Sequence, residues 1–356
     1  MTQDDPPEDA APGWDAIDAA LASLYPDQKP RHVAPFIRRI LGGPDPLDGI
    51  SAWKRDEPTP HWHFVSYGLT ELYTKDWDDP ERSGFGFELT FRLARDAAED
   101  EPPMWPFSLL QNIARYVFES GNVIDDGHWM NANGPIARDN ETSLRSLAFV
   151  TDPELGSIGT PHGRVAFIQI VGLTLDEEAA AKRWQTPRLL DTLLPHMPLW
   201  VTDLSRGSLI DRPDVKRQIE EGAAREGSST GALFTEKLGW SAQKPFFRSA
   251  IIVVELGAGQ VEELLLLLAL RLPFGRELRL FGPETSIAFV PGAADSVAEE
   301  DGGLRVQLAP ASVESIRAVL RPARGRYQVP GLEGLAWDVR PTLIRDASGA
   351  VVETIG

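Results

Sequence analysis

Phe85, Phe87, Leu89, Phe91 and Leu93 occupy every second position of residues 84–93, and Gly86, Glu88, Thr90 and Arg92 fill the positions between them. A period of two with aromatic residues predicts a half-buried strand, its apolar side on a core and its polar side in solvent. The next apolar stretch changes period. Leu109, Leu110, Ile113, Val117 and Phe118 recur at helical spacing, Pro106 falls in the first turn and Gly121 follows the last, so a helix is predicted over about 106–120. A strand feeding an amphipathic helix is a core unit, and the N-terminal half is expected to be built on it.

The rest of the chain alternates between the two periods. Residues 14–24 place Trp14, Ile17, Leu21 and Leu24 on one helical face. Residues 50–53 and 61–67 read as strands around a polar, proline-containing turn. Strands are also predicted at 146–150, 164–171 and, briefly, 200–202, with helices at 176–184 and 187–194. Residues 122–135 form a long polar turn. Helix is predicted for the start of 211–231, which then becomes small and polar. In the second half, strands are predicted at 249–256, 277–281, 286–291, 304–308 and 336–344, helices at 260–270 and 312–320, and an acidic loop at 292–303. Strands and helices interleave without a regular βαβ repeat, which predicts an α+β (mixed α/β) fold rather than a doubly wound one. The expected division is a disordered acidic tail at 1–12, a first domain at 13–210, a linker at 211–241 and a second domain at 242–356.

The 356 residues suffice for two domains with a sizeable core in each. The formal net charge of −18 repels phosphate backbones and argues against direct nucleic-acid binding. It suits a basic partner, although acidity also serves solubility. The absence of cysteine excludes disulfides, thiolate zinc sites and cysteine nucleophiles. The acidic, proline-rich start lacks the pattern of a signal peptide. The most apolar run, 264–272, contains Arg271 and is shorter than the roughly 20 residues a membrane helix needs. A soluble, cytoplasmic protein without membrane association is expected.

Candidate chemistry is sparse. His61 and His63, two apart on a strand, point to one face and could ligate a metal with Asp125, Asp126 or His128. In the competing reading Trp62 and Phe64 face the core and both histidines face solvent. Asp125, Asp126 and His128 form a polar turn that could do acid–base work, bind a cation or serve recognition. The Gly84-x-Gly86 pair enters a strand instead of leaving one, so it is no phosphate loop. Of the ten tryptophans, Trp53, Trp62, Trp105 and Trp184 sit in apolar patterns and read as core. Trp77 and Trp129 lie in polar loops, as interface anchors or as loop packing.

HWHFVSYGLTELY at 61–73, SGFGFELTFRL at 83–93, WPFSLLQNIARYVF at 105–118, GRVAFIQIVG at 163–172, Trp184 and PLWVTDLSRG at 198–207 together resemble the suppressor of fused family. The second half is similar more faintly, in RLPFGR at 271–276 and IAFV at 287–290. The resemblance implies two α/β-type domains, each a mixed, largely antiparallel sheet packed with helices, joined by a flexible linker. It implies a non-enzymatic protein-binding module without cofactor or metal, because animal members clamp an extended peptide of a transcription factor between the domains as an added strand. Bacterial relatives are thought to neutralise toxins of polymorphic toxin systems as immunity proteins.

Carried over residue by residue, the family's peptide-contacting tyrosine falls on Tyr116. Its aspartate falls on Asp126, with Gly127 the strict alternative and Asp125 adjacent, and a contacting leucine falls on Val261. The family's glutamate falls on Gly257, with Glu255 close by, so the charged clamp is altered and the ligand is expected to differ from the animal peptide. No stretch matches the long insertion of vertebrate members, and the composition suits a GC-rich bacterium. The expected protein is therefore a bacterial, immunity-type binder, probed through Tyr116, Asp125, Asp126 and Val261 in a cleft between the domains. Its expected partner is a basic toxin or an extended peptide, and it is expected to be a monomer. Two other readings are a metal-dependent hydrolase using His61, His63, Asp126 and His128, and a regulator of a transcription factor by peptide clamping.

Overall fold

The computed structural model describes residues 10–37, 42–138, 140–243, 251–300, 302–345 and 349–356. Residues 1–9 of the expected tail and the first two residues of the strand expected at 249–256 lie outside them. Two compact units are formed. Unit 1 takes the described residues through Ala179 together with Thr186–Lys216, and unit 2 takes Ala180–Gln185 and Arg217–Gly356.

Unit 1 is organised on one mixed sheet. Its strands are β1 (Arg31–Val33), β2 (Gly49–Arg55), β3 (His61–Tyr67), β4 (Arg82–Ala94), β5 (Trp129–Asn131), β6 (Ser146–Thr151), β7 (Ser157–Thr160) and β8 (Gly163–Leu173). They run in the order β1-β2-β3-β4-β8-β6-β5, with β7 pairing β8 to one side. The central pair β4 and β8 is parallel, and its neighbours are antiparallel. Helix α1 (Pro12–Leu24) covers one face and α2 (Trp105–Ser120) the other. Phe85, Phe87, Leu89, Phe91 and Leu93 of β4 meet Phe107, Leu110, Ile113 and Val117 of α2 in one apolar cluster. Helices α3 (Leu175–Arg183) and α4 (Thr186–Leu193) follow β8.

The expectation of a half-buried β4 is corrected. Glu88, Thr90 and Arg92 are as buried as the phenylalanines between them, because α1 and the β7 hairpin close the second face. The same cover buries His61 and His63, against the reading that placed both in solvent. Two further expectations change locally. The long polar turn at 122–135 contains β5, and in place of a strand at 200–202 the chain makes a short 3-10 turn at Pro198–Trp200 with Leu199 and Trp200 at positive φ. One isolated bridge then joins Thr202 to Leu93.

Unit 2 packs two sheets and two helices around one core. The stretch 211–241 holds α5 (Pro213–Glu226), β9 (Ala232–Phe234) and the start of β10 (Leu238–Gln243). There follow β11 (Ile251–Gly257), α6 (Val261–Arg271), β12 (Leu278–Phe281), β13 (Ser286–Pro291), β14 (Ser296–Glu300), β15 (Gly303–Leu308), α7 (Pro310–Val319), β16 (Gly325–Gln328) and β17 (Leu335–Arg340). A last hairpin joins β18 (Thr342–Arg345) to β19 (Val351–Ile355). The sheets read β10-β11-β17-β16 and β14-β15-β13-β12-β9, each mixing parallel and antiparallel pairs. Leu264, Leu267 and Leu268 of α6 fill the core between them, and Phe289 stacks on Trp337 with ring centres 5.8 Å apart. The acidic loop expected at 292–303 is in part strand β14, paired along β15. The whole is an α+β fold with mixed sheets.

Candidate functional site

Helix α2 is a rigid platform. Five apolar residues hold it to the sheet, and Gly121 ends it in the left-handed conformation (φ 72°), its N–H closing on the Val117 carbonyl. The opposite side carries Tyr116, which is 41% exposed. Its hydroxyl accepts a hydrogen bond from Asn122 Nδ2 at 2.7 Å, so the ring is held over the helix end.

The chain then turns back to β6. Gly127 N–H donates to the Phe149 carbonyl and Phe149 N–H to the His128 carbonyl, both at 2.9 Å. Asp126 Oδ1 accepts from Thr151 N–H at 3.1 Å, and Asp125 Oδ1 accepts from Asp126 N–H at 2.8 Å. The turn is therefore stapled to a core strand while Asp125, Asp126 and His128 stay exposed. Strand β5, which follows, closes the sheet at one edge, and no strand among the described residues pairs with its outer side. Val261 is placed elsewhere. It begins α6 with no exposed area and packs inside the core of unit 2, offering no side-chain surface to a ligand.

The residues of the hydrolase reading do not gather. His63 and His61 lie beneath α1 on β3, whereas Asp126 and His128 belong to the turn beside β6, three strands away in the sheet. Among the described residues, no three histidine or carboxylate side chains are grouped to hold a metal ion. The histidines have structural partners instead. His61 Nδ1 lies 2.7 Å from the Thr59 carbonyl. His63 Nδ1 bonds the Tyr25 hydroxyl at 2.7 Å, and its Nε2 lies 3.3 Å from Asp152 Oδ2 without hydrogen-bond alignment.

His63 thus belongs to a buried polar network. Arg92 reaches Asp152 at 2.5 Å, Glu154 at 2.9 Å and also Gln169, and Thr90 donates to Asp152 at 2.8 Å. Burial, with the Arg92 charge nearby, pushes His63 down to about 4. Burial also lowers His61 to about 4. The Asp152 carboxyl is held well below its usual range, since its close contact with His63 and its ion pair with Arg92 outweigh the burial that would raise it. Farther along β4, burial raises Glu88 to about 7 against hydrogen bonds from the Ser66 hydroxyl and from the hydroxyl and N–H of Thr70. A shifted pKa can mark a reaction centre, but these groups are sealed beneath α1 and partnered with one another, so they brace the fold.

A second exposed feature of unit 1 is a cleft of about 690 Å³ beside the loop at 68–77. Trp77 meets Phe85 edge-on at 5.0 Å, and Phe85 meets Phe118 of α2 at 4.9 Å. Sequence reading singled out Trp77 but not Glu71, whose carboxylate gathers Lys75 Nζ and the N–H groups of Asp76, Trp77 and Gly84 at 2.5–3.0 Å. The available signal was an acid placed just ahead of a loop full of backbone donors.

Geometry of this kind defines an α+β protein with exposed side chains backed by rigid elements. Residues 43–207 match the family model described as Suppressor of fused protein (SUFU). The human and mouse Suppressor of fused homologs are each 35% identical over 247 residues, 64% of this chain and 50% of theirs. The chain spans about half the length of these curated relatives. The crystal structure of Drosophila Suppressor of fused matches with a TM-score of 0.83 at 25% identity, covering 94% of this chain and 99% of that one. The crystal structure of the Sufu–Fu complex matches with a TM-score of 0.56 at 34% identity, covering 59% of this chain and 98% of that one. The chain belongs to the suppressor of fused family.

Proposed function

We propose that this protein is a cytoplasmic, non-enzymatic binding module that holds and neutralises a partner protein, in an immunity-type role against a basic toxin. The binding surface is on unit 1 and comprises Tyr116, Asp125, Asp126 and the outer side of β5. The observation that carries this reading is the turn after α2. An exposed aromatic ring and two carboxylates are fixed to a core helix and a core strand, so little side-chain and loop freedom is lost when a partner docks. The open edge of β5 suits an extended segment of the partner added as a strand, with main-chain hydrogen bonds giving affinity. A relative has been crystallised as the Sufu–Fu complex, which supports protein binding as the family's mode. The net charge of −18 favours fast, steered association with a basic partner. Val261, buried in its own core, contributes packing only.

The test is capture from the source organism's lysate with the wild type and with Tyr116→Ala/Asp126→Ala, followed by mass spectrometry and by calorimetry on the purified partner. A basic partner bound at least tenfold more weakly by the double variant is expected. A partner bound equally well by both proteins would remove this surface from the function, and an acidic partner would remove the toxin reading.

A further inference from the structure

We infer that Asn133–Gly134 is a self-modifying site, where the Asn133 side-chain amide is lost to attack by its own main chain and aspartate and isoaspartate are left beside β5. Each of the other four asparagines precedes a residue with a side chain, Ile113, Val123, Ala132 or Glu141, which crowds the main-chain nitrogen that would attack. Glycine has no Cβ and a wide choice of backbone angles, so the Gly134 nitrogen can reach the side chain before it.

The fold leaves this reaction open. Asn133 is exposed at φ 53°, and a Cβ built on Gly134 would meet nothing within 4 Å. Among the described residues, neither the Asn133 side-chain amide nor the Gly134 N–H has a hydrogen-bond partner, so no bond must break before the two groups meet. Asn133 N–H donates to Asn131 Oδ1 at 2.8 Å, which holds the chain on the near side of the residue only. The Asp126–Gly127 pair is the opposite case. Gly127 N–H donates to the Phe149 carbonyl at 2.9 Å, so the nitrogen that would attack there is withheld.

The chemistry needs only water. The Gly134 nitrogen bonds to Asn133 Cγ, the Cγ–Nδ2 bond breaks, and Nδ2 leaves as ammonia with the proton given up by Gly134. Water then opens the cyclic imide at one of its two carbonyl carbons. Opening at Cγ gives aspartate, and opening at the main-chain carbon gives isoaspartate, with the chain rerouted through Cγ. Both products carry a new carboxylate, and nothing is oxidised or reduced. The loop can absorb the added main-chain carbon, because Ala132 N–H on one side donates to the Arg145 carbonyl at 3.0 Å and Ile136 N–H on the other to the Leu144 carbonyl at 3.1 Å. No partner takes part, so this site can stand while the proposed binding surface fails, and the reverse.

The test holds the full chain in mildly alkaline buffer beside a synthetic peptide of residues 129–137. Both are sampled over time by peptide mass spectrometry, and isoaspartate is counted by enzymatic methylation with an isoaspartyl methyltransferase. The expected result is aspartate and isoaspartate together at Asn133, formed at least about tenfold faster than any product at Asn122 or Asn131 and within about tenfold of the rate in the peptide. A rate close to that of the peptide also excludes a route through rare global unfolding. Asn133→Gln, whose longer side chain closes the ring poorly, should abolish the product. A rate at Asn133 less than about tenfold above those at Asn122 and Asn131, or more than about tenfold below that of the peptide, would overturn the proposal. So would aspartate without isoaspartate, because direct hydrolysis of the side-chain amide gives aspartate alone.

Discussion

The strands that meet α2 with Phe64, Phe87, Phe91 and Ile170 offer His63, Glu88 and Arg92 to the other face, beneath α1, where Asp152 joins them from the end of β6. Both faces are equally dry, but they are held differently. On the α2 face each buried side chain contributes through area and packing, which hardly depend on pH or salt. On the α1 face each buried polar group is stabilising only while its partner is present and both are in the right protonation state. The α2 face should therefore lose stability in proportion to the atoms removed, and the α1 face in proportion to the partners stranded.

The largest single loss is expected at Arg92. Removing its guanidinium in Arg92→Met strands Asp152, which has no exposed side-chain area, and should cost about 3–5 kcal/mol in urea unfolding. Adding Asp152→Leu should recover part of that loss, since an apolar pair replaces a broken ionic one. A single variant that loses less than about 1 kcal/mol would mean that the pair does not hold this face. On the α2 face the matching change is Leu110→Ala. Leu110 is fully buried, and the cavity should cost about 2–5 kcal/mol, with the same value at about pH 5 and about pH 8. A cost that changes with pH would erase the distinction between the faces.

The same contrast governs how much of the molecule could be read from its sequence. Elements with an apolar period were legible. Strand β3 was placed at its observed limits, and α2 to within a residue, because one face of each is plainly apolar. What escaped was the second face of β4. Glu88, Thr90 and Arg92 have the residue types of a solvated face, and only the return of α1 and the β7 hairpin from distant sequence buries them. Short edge elements such as β5 and β14 were hidden for a related reason, since they are held by ladder hydrogen bonds to a neighbour rather than by a period of their own. Of the candidate site, Tyr116 was proposed from the family's motifs, and the carboxylates of the turn from its polar sequence as well. Val261 was found the same way, but alignment gives no account of burial, and its side chain lies in the core. The cleft at Trp77 needed coordinates, because Glu71, Trp77, Phe85 and Phe118 converge from a loop, a strand and a helix.

The histidines sharpen the comparison in acid. His63 is pushed down to about 4 from an ordinary 6.5, so the unfolded chain binds its proton more tightly than the folded one. Its contribution is complete above pH 6.5 and is lost as the pH falls from 6.5 through 4. The loss from this residue should be about 3 kcal/mol. His61 acts in the same direction, so His63→Gln should flatten the profile in part and His61→Gln/His63→Gln further. Asp152 acts in a separate window, its contribution fading only as pH falls below 3.8. Urea unfolding at a series of pH values reads these slopes. A slope between pH 6.5 and 4 that is unchanged in His61→Gln/His63→Gln would mean that the histidines are protonated in the folded state.

Glu88 has the opposite sign and an effect of similar size to that of one histidine. Burial raises it to about 7 from 4.5, so here the folded chain binds the proton more tightly. Its favourable contribution is present below pH 4.5 and is lost as the pH rises through 7. The hydroxyls of Ser66 and Thr70 and the N–H groups of Gly68 and Thr70 all point at this carboxyl and hold its rise to about 7, a shift worth about 3 kcal/mol. Glu88→Gln, an uncharged mimic of the protonated acid, should match the wild type within about 1 kcal/mol at about pH 5 and lose the decline toward about pH 8. Taken with the histidines, the polar face should be most stable in a narrow band near neutrality, with the glutamine variant losing only the alkaline side of that band. A decline toward alkaline pH that persists unchanged in Glu88→Gln would place its origin outside this network.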